Sequence, residues 1–387
     1  MVRLEEVCEV NPRAPKNIKD DAAVSFIPMS AVSEDGHIFF EDARTYGDVK
    51  KGYTYFERGD VLVAKITPCF ENGKAASTEM IQNKLGFGST EFHVLRPSKD
   101  LYPKYVFYLI WSERFRKIGE KGMTGSAGQK RVPADLLRRL EIPLPPLDEQ
   151  KRIAAILDKA DALRAKRRQA IALLDSLTKS IFLEIFGEHN PTGNDSTLLD
   201  IADIQIGYPF KSERYTEASD GIKLCRGANI LPNKIDWSDL AKWPIAETAI
   251  HADYALQEND IVVAMDRPWI STGFKIASIT SDDLPALLVQ RVARIRAKKK
   301  NDAYFIYELM RGSAFTRHCR PTETTIPHIS PKDFRSFEFN FGRDSDRLTF
   351  SERARHIYTT KDKLELQMTY VENLFASLQH RAFTGQL

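Results

Sequence analysis

The chain carries one pattern twice. Residues 59–77 read GDVLVAKITPCFENGKAAS, and residues 259–278 read NDIVVAMDRPWISTGFKIAS. Asp60 aligns with Asp260, Ala64 with Ala264, and Lys74 or Ala75 with the Lys275–Ile276 region. The echo returns further on, where SLTKSIFLEIFG closes at Phe186–Gly187 and NLFASLQHRAFTG closes at Phe383–Gly385. A period of roughly 200 residues is far beyond the ~20–50 of a solenoid unit. It matches a whole domain followed by a long helix. Two diverged copies of one module imply one task performed at two places with two specificities.

Between the echoes each half has the same plan. VSFIPM, DVLVAKI and EFHVLRP have strand composition, separated by turn signals at Glu34-Asp35-Gly36 and Glu71-Asn72-Gly73. Leu85-Gly86-Phe87-Gly88 reads as a turn between strands rather than as a cofactor loop. A helix is expected over Pro103–Ile118, then a polar loop over 119–130, then a proline-rich end at Pro143, Pro145 and Pro146 that no helix crosses. The second half repeats this with CRGANI, DIVVAM and LLVQRVARIRA as strands, a helix over Asp302–Met310, and a polar loop from Arg317 to His328. Residues 190–200 read as the loop between the halves.

Residues 148–186 form the clearest element. Ile153, Ile156, Ala160, Leu163, Arg167, Ala170, Leu174, Leu177 and Ile181 alternate spacings of three and four, a heptad seam interrupted once by Arg167. Such a helix is ~58 Å long, more than closing a small core requires. Residues 351–383 repeat the pattern through Ala354, Ile357, Lys361, Leu364, Met368, Val371, Phe375 and Leu378. A lone apolar stripe in water is unfavourable. The simplest solution is that the two helices pair, and if a pseudo-twofold axis relates the halves they run antiparallel. The competing solution packs each helix onto its own domain. From Glu149 to Phe186 is 37 residues and from Glu352 to Phe383 is 31, so the second helix is expected to be shorter by up to six residues, or ~9 Å. The fold class is α+β: two mixed strand–helix domains separated by two long helices that pair as an antiparallel coiled coil. The expected boundaries are 1–146, 147–187, 188–349 and 350–387.

Composition limits function by exclusion. A length of 387 residues suits two or three domains, and 42% hydrophobic residues suffices for packed cores. Fifty-six basic against 53 acidic residues give a net charge of +3, which permits a nucleic-acid partner without indicating one. The four cysteines, at 8, 69, 225 and 319, make no metal knuckle and read as free thiols in a reducing cytosol. Neither a signal peptide nor a membrane span is apparent, so a cytoplasmic protein with no membrane partner is expected. No phosphate loop, nucleophile elbow or zinc-helix motif is present. A binding role is favoured over a catalytic one.

The candidate binding residues lie in loops that differ between halves while the strands echo. In the first half they are Lys65, Thr67, Asn72 and Lys74, with Thr124, Ser126, Gln129, Lys130 and Arg131. In the second they are Arg267, Trp269, Ser271, Thr272 and Lys275, with Arg317, Arg320, Thr322, Thr324, Thr325 and His328. Gln and Arg suit bidentate contact with base edges, and Lys, Ser and Thr suit phosphate.

Three stretches carry a family likeness: LEEVCEVNPR at 4–13, GDVLVAKITPCFENGKAA at 59–76, and GSAGQKRVPADLLRRLEIPLPPLDEQKRIAAILD at 125–158. On these the chain resembles the specificity subunit of type I restriction-modification systems over essentially its whole length. The resemblance implies two target-recognition domains, each reading one half of a bipartite double-stranded DNA sequence, with the paired helices as the spacer. It implies two methyltransferase subunits and translocase/endonuclease subunits as partners. It also implies no cofactor on this chain, with S-adenosylmethionine, ATP and Mg held by those partners. The second half departs from the family pattern, because IPLPPLDEQKRI has only a distant echo near 337–357. The alternative from another class is a two-domain coiled-coil scaffold for proteins without DNA contact.

Overall fold

The structure, a computed structural model, describes residues 1–126, 128–187, 196–319 and 327–387. It divides into two compact units, Met1–Gln169 with Glu365–Leu387, and Ala170–Leu364. The long helices Leu147–Phe186 and Asp344–Phe383 each contribute to both units.

In the first unit an antiparallel sheet has the order Cys8–Val10, Phe92–Pro97, Val61–Ala64, Ala75–Ser77. A second sheet has the order Asp42–Thr45, Ala23–Ile27, Leu85–Gly88, Thr54–Glu57, with its middle pair parallel. Leu85–Gly88 is therefore a strand and not the expected turn. Its glycines serve packing: a Cβ on Gly86 would lie 2.1 Å from the Phe56 ring. Behind the first sheet pack Pro103–Ile110 and Glu113–Gly122. The single helix expected over Pro103–Ile118 is thus two, and the second extends into the expected loop at 119–130. The break falls where the Ser112 hydroxyl accepts the Phe115 amide at 3.2 Å and restarts the helix as its N-cap.

The second unit repeats the topology. Its first sheet runs Ala202–Ile206, Val292–Ala297, Ile261–Ala264, Ile276–Ser278. Its second runs Lys242–Trp243, Ile222–Cys225, Ala286–Leu288, again with one parallel pair. The central register is the same: Val61 faces Leu95 in one unit and Ile261 faces Ile295 in the other. Beneath each, a buried aspartate is clamped by an arginine. Asp60 takes Arg96 Nε at 2.9 Å and Nη2 at 2.7 Å, and Asp260 takes Arg296 Nε at 2.6 Å and Nη2 at 2.7 Å. The helix after this sheet is Ala303–Arg311, and a second helix, Ser313–His318, follows and ends inside the loop expected from Arg317. Most of the connecting loop expected at 190–200 lies outside the described residues, and the short helix Leu198–Ile201 closes it.

The long helices run antiparallel inside each unit. In the first, Arg152 donates to the Leu387 carbonyl, and Arg164 Nε donates to Glu372 at 2.7 Å. In the second, Lys361 Nζ donates to Asp175 at 2.8 Å. Ile153, Leu157, Phe375 and Phe383 join the core of the first unit, and Phe182, Phe350 and Ala354 join that of the second. The helices therefore both pair with each other and pack on the domains, so the two solutions weighed from the sequence are not exclusive.

Two expectations about these helices are corrected. The second begins at Asp344, not near 351, and both are 40 residues long, so the predicted shortening is absent. In the first helix the buried face includes Asp161, Arg164, Thr178 and Phe182, while Leu163 and Leu177 are 41% and 46% exposed. The seam is rotated by about one residue from the apolar pattern. Charged groups enter it because they are partnered: Arg164 bonds Asp161 at 2.9 Å as well as Glu372, and lies over the Phe375 ring.

Candidate nucleic-acid interface

The candidate face of the first unit forms where the chain leaves the strand Val61–Ala64. The loop after it takes a second loop alongside as a short ladder. The Val132 amide donates to the Lys65 carbonyl at 2.9 Å, the Thr67 amide donates to the Lys130 carbonyl at 3.0 Å, and Thr124 and Arg131 exchange backbone bonds. This brings Lys65, Thr67, Thr124, Lys130 and Arg131 together. Ser126 and Gln129 are exposed at the tip of the second loop, tied by a backbone bond of 3.1 Å. Buried His93 anchors the ladder from below, with Nε2 2.8 Å from the Val132 carbonyl, and burial holds its pKa below the usual imidazole value.

Not every candidate is available. Asn72 donates to Glu34 at 2.7 Å, and Lys74 donates to the Met29 carbonyl at 3.3 Å, so both turn toward the 29–34 loop. Thr67 donates its hydroxyl to Glu71 at 2.8 Å. Arg131 lays Nε and Nη2 on the Glu91 carboxylate at 3.0 and 2.9 Å, and this guanidinium holds the Glu91 carboxyl below the ordinary carboxylate range. Thr124, Ser126, Gln129 and Lys130 remain exposed, and Lys65 is half-buried beside them.

The second unit builds the same ladder. The Ile329 amide donates to the Met265 carbonyl at 2.8 Å, and the Arg267 amide donates to the Pro327 carbonyl at 3.1 Å; Asp266 bridges His328. Arg267 and His328 are thus adjacent and exposed. Trp269 stacks on Phe274 with ring centres 5.5 Å apart, leaving Ser271 and Thr272 exposed at the hairpin tip. Lys275 turns inward to the Gly227 carbonyl, and burial lowers its pKa. Arg317 sits on Ser313–His318 and donates to the Ser313 hydroxyl at 2.9 Å. Arg320, Thr322, Thr324 and Thr325 lie outside the described residues.

One exposed cation was missed: Arg291, directly before the strand Val292–Ala297, with an ion pair to Asp266 at 3.5 Å. The repeat itself held the signal, because it places Arg291 opposite Glu91. Among the described residues no cluster of side chains is arranged to hold a metal, and no helix is long and apolar enough to cross a membrane.

The chain is similar to proteins of one family. Residues 1–173 match the family described as the type I restriction modification DNA specificity domain. The chain is 31% identical to the EcoAI type I restriction enzyme specificity subunit of Escherichia coli, over 94% of this chain and 78% of that protein. It is 26% identical to the MjaVIII specificity subunit of Methanocaldococcus jannaschii, over 72% and 70%. Among solved structures, the type I restriction-modification S subunit from M. genitalium superposes with a TM-score of 0.55 at 14% identity, covering 99% of this chain and 95% of that one. That last likeness speaks for the fold alone.

Proposed function

The chain belongs to the type I restriction enzyme specificity subunits, and from that membership we propose that its two units read the two halves of one gapped DNA sequence. The chain supplies specificity and not catalysis. The observation that carries the reading is the repeated ladder: Lys65–Val132 in one unit and Met265–Ile329 in the other present two loops in the same geometry. Their side chains differ almost completely. A common frame with divergent loops is what two sequence readers on one scaffold require.

Lys65, Thr124, Ser126, Gln129, Lys130, Arg267, Trp269 and His328 are the residues proposed for DNA contact. Asn72, Lys74, Arg131 and Lys275 support the loops instead. The recognition domains are proposed as 1–146 and 188–349, and the paired helices as the spacer that fixes the gap and docks two methyltransferase subunits. Translocase/endonuclease subunits complete the complex. S-adenosylmethionine, ATP and Mg belong to those partners, and the assembly works in the cytoplasm.

The test is the salt dependence of DNA binding by the complex assembled with its methyltransferase subunits. Contacts to roughly six to ten phosphates lower affinity about 10³–10⁵-fold between 50 and 200 mM salt. Lys130→Ala is expected to reduce the slope of log K against log salt by about one while leaving the recognised sequence unchanged. Affinity that does not respond to salt would overturn the reading and favour a protein-only scaffold.

A further inference from the structure

Resting on the reading of these loops as a DNA-contacting face, we propose that Arg291 is the guanine-reading residue of the second recognition domain. Glu91 and Arg291 hold the same place in the two repeats. Each directly precedes the central strand of its sheet, and each gives its carbonyl to the facing loop, to the Lys65 amide at 2.9 Å and to the Met265 amide at 2.9 Å. Each also meets an opposite charge on the ladder, Arg131 for Glu91 and Asp266 for Arg291. The charges are exchanged between the halves.

The two arginines differ in what their forks have left to offer. Arg131 has spent its Nε and Nη2 edge on Glu91, and its Nη1 donates to the Gln129 carbonyl at 3.2 Å. Its Nε–Nη2 edge is therefore closed to a base. Arg291 is 68% exposed, and its ion pair among the described residues is Nη1 to Asp266 at 3.5 Å. Among the described residues nothing bonds its Nε–Nη2 edge. An arginine steadied at one end with its fork in solvent has the donor pair that guanine O6 and N7 accept. Its backbone φ of 64° is one that a non-glycine residue adopts at some cost, and Glu91 shows no such angle.

The experiment co-expresses wild type, Arg291→Ala and Arg291→Lys with the methyltransferase partner in a host lacking other DNA methylation. Methylated sites are then mapped by single-molecule sequencing. Wild type is expected to give a gapped motif with guanine in the half-site of the second domain. Arg291→Ala should lower the preference for guanine at one position there by roughly 10- to 100-fold and leave the other half-site intact. Arg291→Lys keeps the charge without the fork, so it should relax the same position; it decides the matter if the alanine variant does not fold. Unchanged preference at every position in the Arg291 variants, an even fall across all sites, or a wild-type half-site without guanine would overturn the assignment. A wild type that yields no gapped motif would instead overturn the specificity reading on which it rests.

Discussion

Replacing Asp60 or Asp260 by alanine is expected to cost about 3–5 kcal/mol of stability, the usual price of leaving one partner of a buried ion pair behind. Each carboxylate is almost wholly buried beneath its sheet. Each takes both ends of an arginine fork and one backbone amide, Glu57 N at 2.7 Å for Asp60 and Gln257 N at 2.7 Å for Asp260. The two losses should not be equal. Arg96 keeps a second carboxylate, Glu57 at 3.1 Å, whereas Arg296 keeps the Ala255 carbonyl at 3.2 Å. Asp260→Ala therefore belongs at the upper end of the range. Against a typical total of about 5–15 kcal/mol, either variant removes a large share. Urea unfolding checks the magnitude. Hydrogen exchange locates it, with Val61–Ala64 and Phe92–Pro97 loosened in one variant, and Ile261–Ala264 and Val292–Ala297 in the other. An unchanged midpoint for both would show that the clamps do not hold the sheets.

Exchanging residues 200–346 for the matching module of another specificity subunit should replace one half of the recognised sequence and leave the other half untouched. The effect is all-or-none for that half-site, because the loops that carry the differences lie wholly inside the exchanged segment. The structure adds a condition. The second helix begins at Asp344, and its Arg347 is buried against Asp302 at 3.0 Å. Phe350 packs on Phe182, which in turn stacks on Phe305. An incoming module must keep an acid at 302 and an aromatic ring at 305, or the chimera fails at this seam before its specificity can be read. Mapping the methylation motif of the chimera is the measurement, and a change in both halves would break the two-reader account.

Much of this architecture was legible because the repeat and the long helices are strong signals. Asp60 and Asp260 marked equivalent strands, and those strands pair in the same register. The misplacements share a cause, which is that three-dimensional partners outweighed local pattern. Three prolines stand directly before the first long helix, but none stands directly before the second, where Arg343 donates to Asp346 at 3.0 Å across the first turn. The apolar heptad placed Leu163 inside and Arg164 outside. Pairing with Asp161 and Glu372 reverses this, because those partners offset the desolvation of the buried guanidinium. The site was the least legible part. Gln129 and Arg131 looked equally suited to read bases, yet Arg131 is committed to Glu91, 40 residues away in the chain. Arg291 sat inside a strand-like run and gave no loop signal of its own.

The most direct test of the central claim is single-molecule methylation sequencing of the host genome with and without this gene. Disappearance of methylation at one two-part motif with a fixed gap, and at no other, is the result the account predicts. Loss at an ungapped motif would contradict it, as would an unchanged methylome in a strain where the partner methyltransferase is expressed and active.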